Sequence, residues 1–188
     1  MAGRLYGVGV GPGDPELLTM KGLRLICEAD VIAAPGREVQ KSVAYRIAAQ
    51  AVALAGKNAQ NIFAEKELLS VPMPMEKDEA ELAKAHNKGI ESIRKYLDKE
   101  KMVVFLTLGD PTIYSTYLYL HKRLTEDGYF TELVSGVPSF CSAAARLNMG
   151  LVERAEALHV IPASYSLEIS EGLERSIRLP GTKVLMKS

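Results

Sequence analysis

The 188-residue chain has no Trp, only three His and two Cys, and no excess of either charge, its 23 Lys and Arg balancing 23 Asp and Glu. Each absence excludes something. Without net charge there is no electrostatic case for nucleic acid as the main partner. Cys27 and Cys141 lie far apart, each inside an apolar helical pattern, so neither a disulfide framework nor metal-ligand spacing is present. They read as reduced core thiols of a cytoplasmic protein. His86, His121 and His159 form no i, i+4 pair and join no carboxylate cluster, so no metal site is expected. Long apolar runs are lacking too. The first, "LYGVGV", is broken by glycines and followed at once by "GPGDP", so neither a signal-peptide core nor a membrane span is expected there or later.

What is present is an ordinary globular composition, 47% hydrophobic and 24% charged, on a length that suits two modest lobes. "RLYGVGV" reads as a buried strand, "ELLTMKGLRLICEA" as a helix and "ADVIAAP" as a second strand. "SVAYRIAAQAVALA" predicts another helix and "LLSVPMPM" an extended piece. In "DEAELAKAHNKGIESIRKYLDKE", Leu82, His86, Ile90, Ile93 and Leu97 form one helical stripe. "KMVVFLTLGDP" is a continuous apolar run stopped by Gly109, Asp110 and Pro111, as for a strand buried on both faces. Strands alternating with helices predict an α/β fold with a mostly parallel sheet, whose ligands bind beyond the carboxyl ends of the strands. "YSTYLYLHKRLTEDG" reads as a helix that bridges two lobes. The pattern then restarts with the strand, turn and helix of "YFTELVSGVPSFCSAAARLNMG", followed by "LHVIPA", a helical "SLEISEGLERSIR" and the strand "GTKVLMKS". The expected organisation is an N-terminal lobe over 1–113, a connecting helix over 114–128 and a C-terminal lobe over 129–188. The last strand leaves that sheet looking unfinished, so the C-terminal lobe is expected to be incomplete.

Three Gly/Pro turns follow strands. In "GVGVGPGDPELLT" a G-x-G-x-x-G fingerprint beginning at Gly7 meets Pro12 where its third glycine belongs, and beginning at Gly9 it meets Asp14. A dinucleotide fold also needs an acid at the end of the second strand, but Asp30 precedes that strand. The Lys-Ser/Thr pair of a P-loop is missing, and Asp14 would repel a phosphate. In "LTLGDPTIY", Asp110 stands at the carboxyl end of a central strand, either to accept hydrogen bonds from a ligand or to cap the following segment. In "VSGVPSF", Ser139 reads as a helix cap or a polar wall. Together, three turns without a basic residue describe a pocket of backbone groups for a nucleoside without phosphates. "YSTYLYL" begins with Tyr114 and Ser115, directly after the Asp110 turn and able to face a cleft.

"VGVGPGDPELLT", "FLTLGDPTIYS", "SGVPSF" and "VLMKS", in this order, resemble the tetrapyrrole (corrin/porphyrin) methylases, enzymes that use S-adenosylmethionine. Within that family, "ELLTMKGLRLICEADVIAAPG", "SVPMPM" and "FLTLGDPTIYSTYLYL" look most like the enzymes that methylate C20 of precorrin-2 or cobalt-factor II in cobalamin biosynthesis. The uroporphyrinogen methylases carry an Asp-Arg pair where this chain has "AAPGRE". The resemblance implies a two-lobed homodimer with the cofactor in a cleft between lobes and a small-molecule tetrapyrrole in a trough of the N-terminal one. It implies cofactor contacts at Pro12, Leu108, Gly109, Asp110, Ile113, Pro138, Ser139 and Met186. For any base that assists proton loss from the methylated carbon, Tyr114 and Asp110 are the candidates in the chain, and solvent or a substrate carboxylate would also serve. One departure is the third turn, where Pro138 follows Val137 and has no N–H to donate. Arg37, Lys41 and Arg46 are the expected partners of the substrate's carboxylates, or else merely solvated surface. No metal, nucleic acid or membrane is expected. Methylation at another tetrapyrrole position, or of a protein or ribosomal RNA, is the alternative.

Overall fold

The computed structural model describes residues 3–73, 79–162 and 170–186. Two compact units divide at Pro138 and Ser139. The first carries five parallel strands: β1 (Arg4–Gly9), β2 (Val31–Pro35), β3 (Glu67–Val71), β4 (Met102–Thr107) and β5 (Phe130–Val134), in the order β3-β2-β4-β1-β5. Between them run α1 (Met20–Glu28), α2 (Val43–Leu54), α3 (Ala59–Ala64), α4 (Glu79–Leu97) and α5 (Tyr117–Glu126).

Side chains of a strand alternate between sheet faces, and here each face has its own core. Tyr6, Val8, Ile32, Val104 and Leu106 pack against Leu25 and Ile26 of α1, Ile47, Ala48 and Val52 of α2 and Phe63 of α3. Leu5, Val31, Ala33, Val103 and Phe105 meet Ile90, Ile93 and Leu97 of α4 and Tyr117, Leu120 and Leu124 of α5. The apolar run of β4 is therefore continuous because helices cover both of its faces. The alternate glycines of β1 follow from the same period of two. Gly7 shares a face with Leu5, and a Cβ there would lie 2.1 Å from the ring of Tyr117. Burial holds the Tyr117 phenol far above its ordinary pKa, and its hydroxyl donates to the Glu132 carbonyl.

Local signals set the helix starts. Thr19 caps α1 by accepting from the Gly22 N–H at 3.1 Å, and Ser42 caps α2 by accepting from Tyr45 N–H at 3.1 Å. The helix expected from Glu16 therefore starts later, at Met20, because Pro15–Leu17 forms a separate 3-10 turn capped by Asp14. The short α3, which the pattern did not predict, is capped by Asn58. Its C-terminal neighbour Lys66 crosses to α1 and donates to the carbonyls of Cys27 and Ala29 at 2.8 and 2.6 Å.

Three placements differ from the sequence reading. β5, expected in the C-terminal lobe, pairs with β1 and completes the first sheet, and α5 packs on β1, β5 and α4 rather than bridging lobes. Cys27 is half-buried against the core as expected, but Cys141 is exposed, because α6 (Ser139–Arg146) fully buries Ala144 alone. The second unit, described by itself, holds α6, the parallel pair β6 (Leu158–Pro162) and β7 (Thr182–Met186), and α7 (Ser170–Arg178) packed on β6. Pro74 and Met75 of the extended piece, residues 166–169 of the last helical pattern, and Lys187 and Ser188 lie outside the described residues. Among the described residues no helix is long and apolar enough to cross a membrane.

Candidate functional site

The three Gly/Pro turns leave the carboxyl ends of β4, β1 and β5, which are neighbours in the sheet. This is the edge at which open parallel sheets bind ligands. The turns are bonded to one another. Val10 N–H donates to the Thr107 carbonyl at 2.9 Å, and Gly11 and Gly109 exchange N–H to carbonyl bonds at 3.3 and 2.9 Å. Both glycines have positive φ, +80° and +64°, a backbone that other residues adopt at a cost. Thr19, besides capping α1, donates its hydroxyl to the Ser135 carbonyl at 3.5 Å.

Glycine is required here for close approach as well. A Cβ on Gly9 would stand 2.5 Å from the Gly109 carbonyl oxygen and 2.8 Å from the Gly136 nitrogen. One on Gly136 would stand 2.1 Å from the same oxygen. Backbone thus packs directly on backbone where the three turns meet.

Asp110 sits at that junction, 8% exposed. Its Oδ1 accepts from the Thr112 N–H at 2.8 Å and from the Thr112 hydroxyl at 2.5 Å, and its Oδ2 accepts from the Gly136 N–H at 2.9 Å. Beneath it the Thr107 and Ser115 hydroxyls share a buried hydrogen bond of 3.0 Å, and Ser115 Oγ also accepts from Tyr117 N–H at 3.2 Å. Sequence reasoning missed Thr107 and Thr112, and it singled out Ser115 as facing a cleft, whereas its hydroxyl is buried in this network. The Asp-Pro-Thr spelling is a turn signal that would have pointed to Thr112, since Asp side chains accept from the backbone two residues on.

The rim of this edge is apolar and acidic. Leu108 is 51% exposed, Tyr114 is exposed, and Pro12, Ile113 and Pro138 are half-buried. Tyr114 has φ +49°, left-handed backbone in the turn just ahead of α5, so the turn holds an aromatic residue in a costly conformation. Asp14 is spent locally, its Oδ1 accepting from Glu16 N–H at 3.0 Å. No Lys, Arg or His occurs in 10–19, 108–116 or 135–138.

The expected cofactor residues fall in two groups. Pro12, Leu108, Gly109, Asp110, Ile113 and Pro138 belong to the first unit, and the structure brings them to the one edge. Ser139, exposed at the start of α6, and Met186, half-buried at the end of β7, belong to the second. Arg37 and Lys41 lie in the connection from β2 to α2, which leaves the carboxyl end of the strand next to β4, and Arg46 lies in the first turn of α2. All three are exposed, and Lys41 pairs with Glu38 at 2.8 Å. The histidines are occupied elsewhere: His86 stacks on Tyr119 at 4.3 Å, His121 bonds Thr131 and His159 meets the Pro180 carbonyl.

Residues 4–188 match the tetrapyrrole (corrin/porphyrin) methylases as a family. The chain belongs to that family. Among relatives, the probable cobalt-precorrin-2 C(20)-methyltransferase of Methanocaldococcus jannaschii is 40% identical over 88% of this chain and 66% of its own length. The cobalt-precorrin-2 C(20)-methyltransferase of Salmonella typhimurium is 31% identical over 100% of the chain and 73% of its own length. The chain thus spans about two thirds to three quarters of these methylases. A solved uroporphyrin-III C-methyltransferase from Thermus thermophilus, complexed with S-adenyl homocysteine, superposes with a TM-score of 0.57 at 28% identity, over 85% of this chain and 59% of that one.

Proposed function

We propose that this protein is a C-methyltransferase that moves a methyl group from S-adenosylmethionine to C20 of precorrin-2 or cobalt-factor II in cobalamin biosynthesis. The observation that carries the reading is the interlocked edge of three turns on adjacent strands, lined by backbone and apolar side chains and free of Lys, Arg and His. Such an edge fits a nucleoside without phosphates that carries a positive charge. The relatives named for C20 methylation of cobalt-precorrin-2 supply the substrate class and position.

S-adenosylmethionine would supply an activated methyl group on a sulfonium, so the chain's own task is alignment and exclusion of water. Pro12, the Leu108–Asp110 backbone, Ile113 and Pro138 are the contacts expected from the first unit. Pro138 offers only its carbonyl and ring there. Arg37, Lys41 and Arg46 would meet the carboxylates of the macrocycle. The Lys41–Glu38 pair does not oppose this, because an exposed ion pair is worth at most about 1 kcal/mol. Loss of the proton from C20 needs little help, and Tyr114, exposed on the β4 turn, is the candidate to give it. A homodimer in the cytoplasm completes the reading, and the free Cys27 and Cys141 fit a reducing compartment.

The test is to incubate the protein with S-adenosylmethionine and either precorrin-2 or cobalt-factor II and to locate the new methyl group by NMR. A methyl at C20 is the expected result, and the better of the two substrates assigns metal preference. Methylation at another carbon, or of neither compound, overturns the reading.

A further inference from the structure

We infer that Asp110 is a positioning residue, a clamp that fixes the β4 and β5 turns against each other, rather than a group that contacts the methyl donor or takes a proton. The inference rests on the reading that these turns hold the donor. It follows from where the carboxylate is spent. A carboxylate has about four acceptor directions, and three of these are filled from inside the protein, two by Thr112 and one by Gly136. With 8% of the residue exposed, little of it faces the edge.

The bond to Gly136 joins segments 26 residues apart, and it reaches the point where backbone freedom is greatest. Gly136 begins a Gly-Val-Pro turn with no side chain of its own to pack, and Pro138 cannot hold the turn with an N–H. Its Cα lies in the crowded contact with Gly9 and Gly109, so a shift of this turn changes the spacing of all three strand ends. A charged acceptor gives the strongest ordinary hydrogen bond to a backbone N–H. Asp110 therefore sets the distance between the two walls onto which a ligand fits.

Asp110→Asn separates this role from the others. Its Oδ1 still accepts from Thr112, but its Nδ2 places a donor against the Gly136 N–H. The clamp opens and the negative charge is lost. Isothermal titration with S-adenosylmethionine and with S-adenosylhomocysteine, whose sulfur is neutral, should show the same loss for both, about tenfold, as for a hydrogen bond to a charged group. The Gly136 amide resonance should move in the ligand-free protein, and the pH profile of kcat at saturating donor should keep its shape. Thr112→Ala, which leaves the carboxylate and Gly136 in place, serves if the Asn variant does not fold, and should weaken both ligands equally but less. A loss confined to the sulfonium form indicates direct charge recognition, and loss of a limb of the pH profile indicates a base. Either result, or unchanged affinity, overturns the clamp. If the wild-type protein binds neither ligand, the proposed function fails, while the Gly136 resonance still decides the clamp.

Discussion

Gly9 and Gly150 make opposite demands although both are glycines in loops or strand ends of one chain. A methyl group on Gly9 meets three backbone atoms inside 3 Å, and none is the end of a flexible side chain. Gly9→Ala should destabilise the protein by about 1–3 kcal/mol, as overpacking does. Because the strain falls on Gly109 and Gly136, it should also weaken donor binding. At Gly150 a Cβ would find only the Val152 carbonyl oxygen, at 3.7 Å, and φ is ordinary. Gly150→Ala should therefore be neutral or stabilising by up to about 1 kcal/mol through the unfolded chain. Urea denaturation of both variants checks the pair, and a Gly9 variant as stable as wild type would refute the contact. Arg37 and Arg46 give a second prediction. Replacing both with Ala should raise KM for the tetrapyrrole and leave the affinity for S-adenosylmethionine unchanged, which steady-state kinetics and calorimetry would separate.

Among elements, those with strong periodicity were legible in the sequence. Of the stripe Leu82, His86, Ile90, Ile93 and Leu97, the last three are buried in α4 and the first two are half-buried, and β4 is buried on both faces as its unbroken apolar run predicts. The three turns could also be read, because Gly, Pro and Asp punctuate the chain at each of them. What could not be read is pairing. "YFTELV" carries no mark of which sheet it joins, and its apolar pattern, Gly turn and following helix repeat the logic of β1, so it looked like the start of a new lobe. Cys141 failed for a related reason: a helix of apolar letters does not show which of its faces another element covers. The α4–α5 contact has a consequence in acid. His86, half-buried against Tyr119, has its pKa lowered by burial from the ordinary 6.5. The unfolded chain then binds more protons than the folded one between the two values, so stability should fall as pH drops through about 6.5. His86→Gln should flatten that part of the curve, as measured by thermal melts from pH 7.5 to 5. An unchanged slope would locate the acid sensitivity elsewhere.

For the whole molecule, the division at Pro138 predicts very unequal halves. Every strand of the five-stranded sheet, and both of its cores, come from residues before Ser139. The two-stranded parallel sheet of the second unit has no fully buried strand residue, and Leu147, Met149, Leu179 and Leu185 of that unit are exposed. An isolated pair of strands is marginal in water, and the helix beside this pair buries none of its strand residues fully. Residues 1–138 should therefore fold alone, with a cooperative urea transition and protected amides in β1, β2 and β4, whereas 139–188 alone should show little protection. In the full chain, amides of β6 and β7 should exchange before those of β4, because local opening requires less free energy where few apolar groups are buried. Hydrogen exchange read by mass spectrometry resolves both units in one experiment. The proposed function adds a further constraint on residues 1–138. Since the interlocked turns at Gly9, Asp110 and Gly136 lie within that piece, its Gly136 amide resonance should move on Asp110→Asn as in the full chain. Any methyl-donor affinity it retains measures how much of the site the first unit supplies. A Gly136 resonance that no longer responds to Asp110→Asn in the truncated piece would mean that the clamp depends on the second unit, and the division at Pro138 would then be structural but not functional.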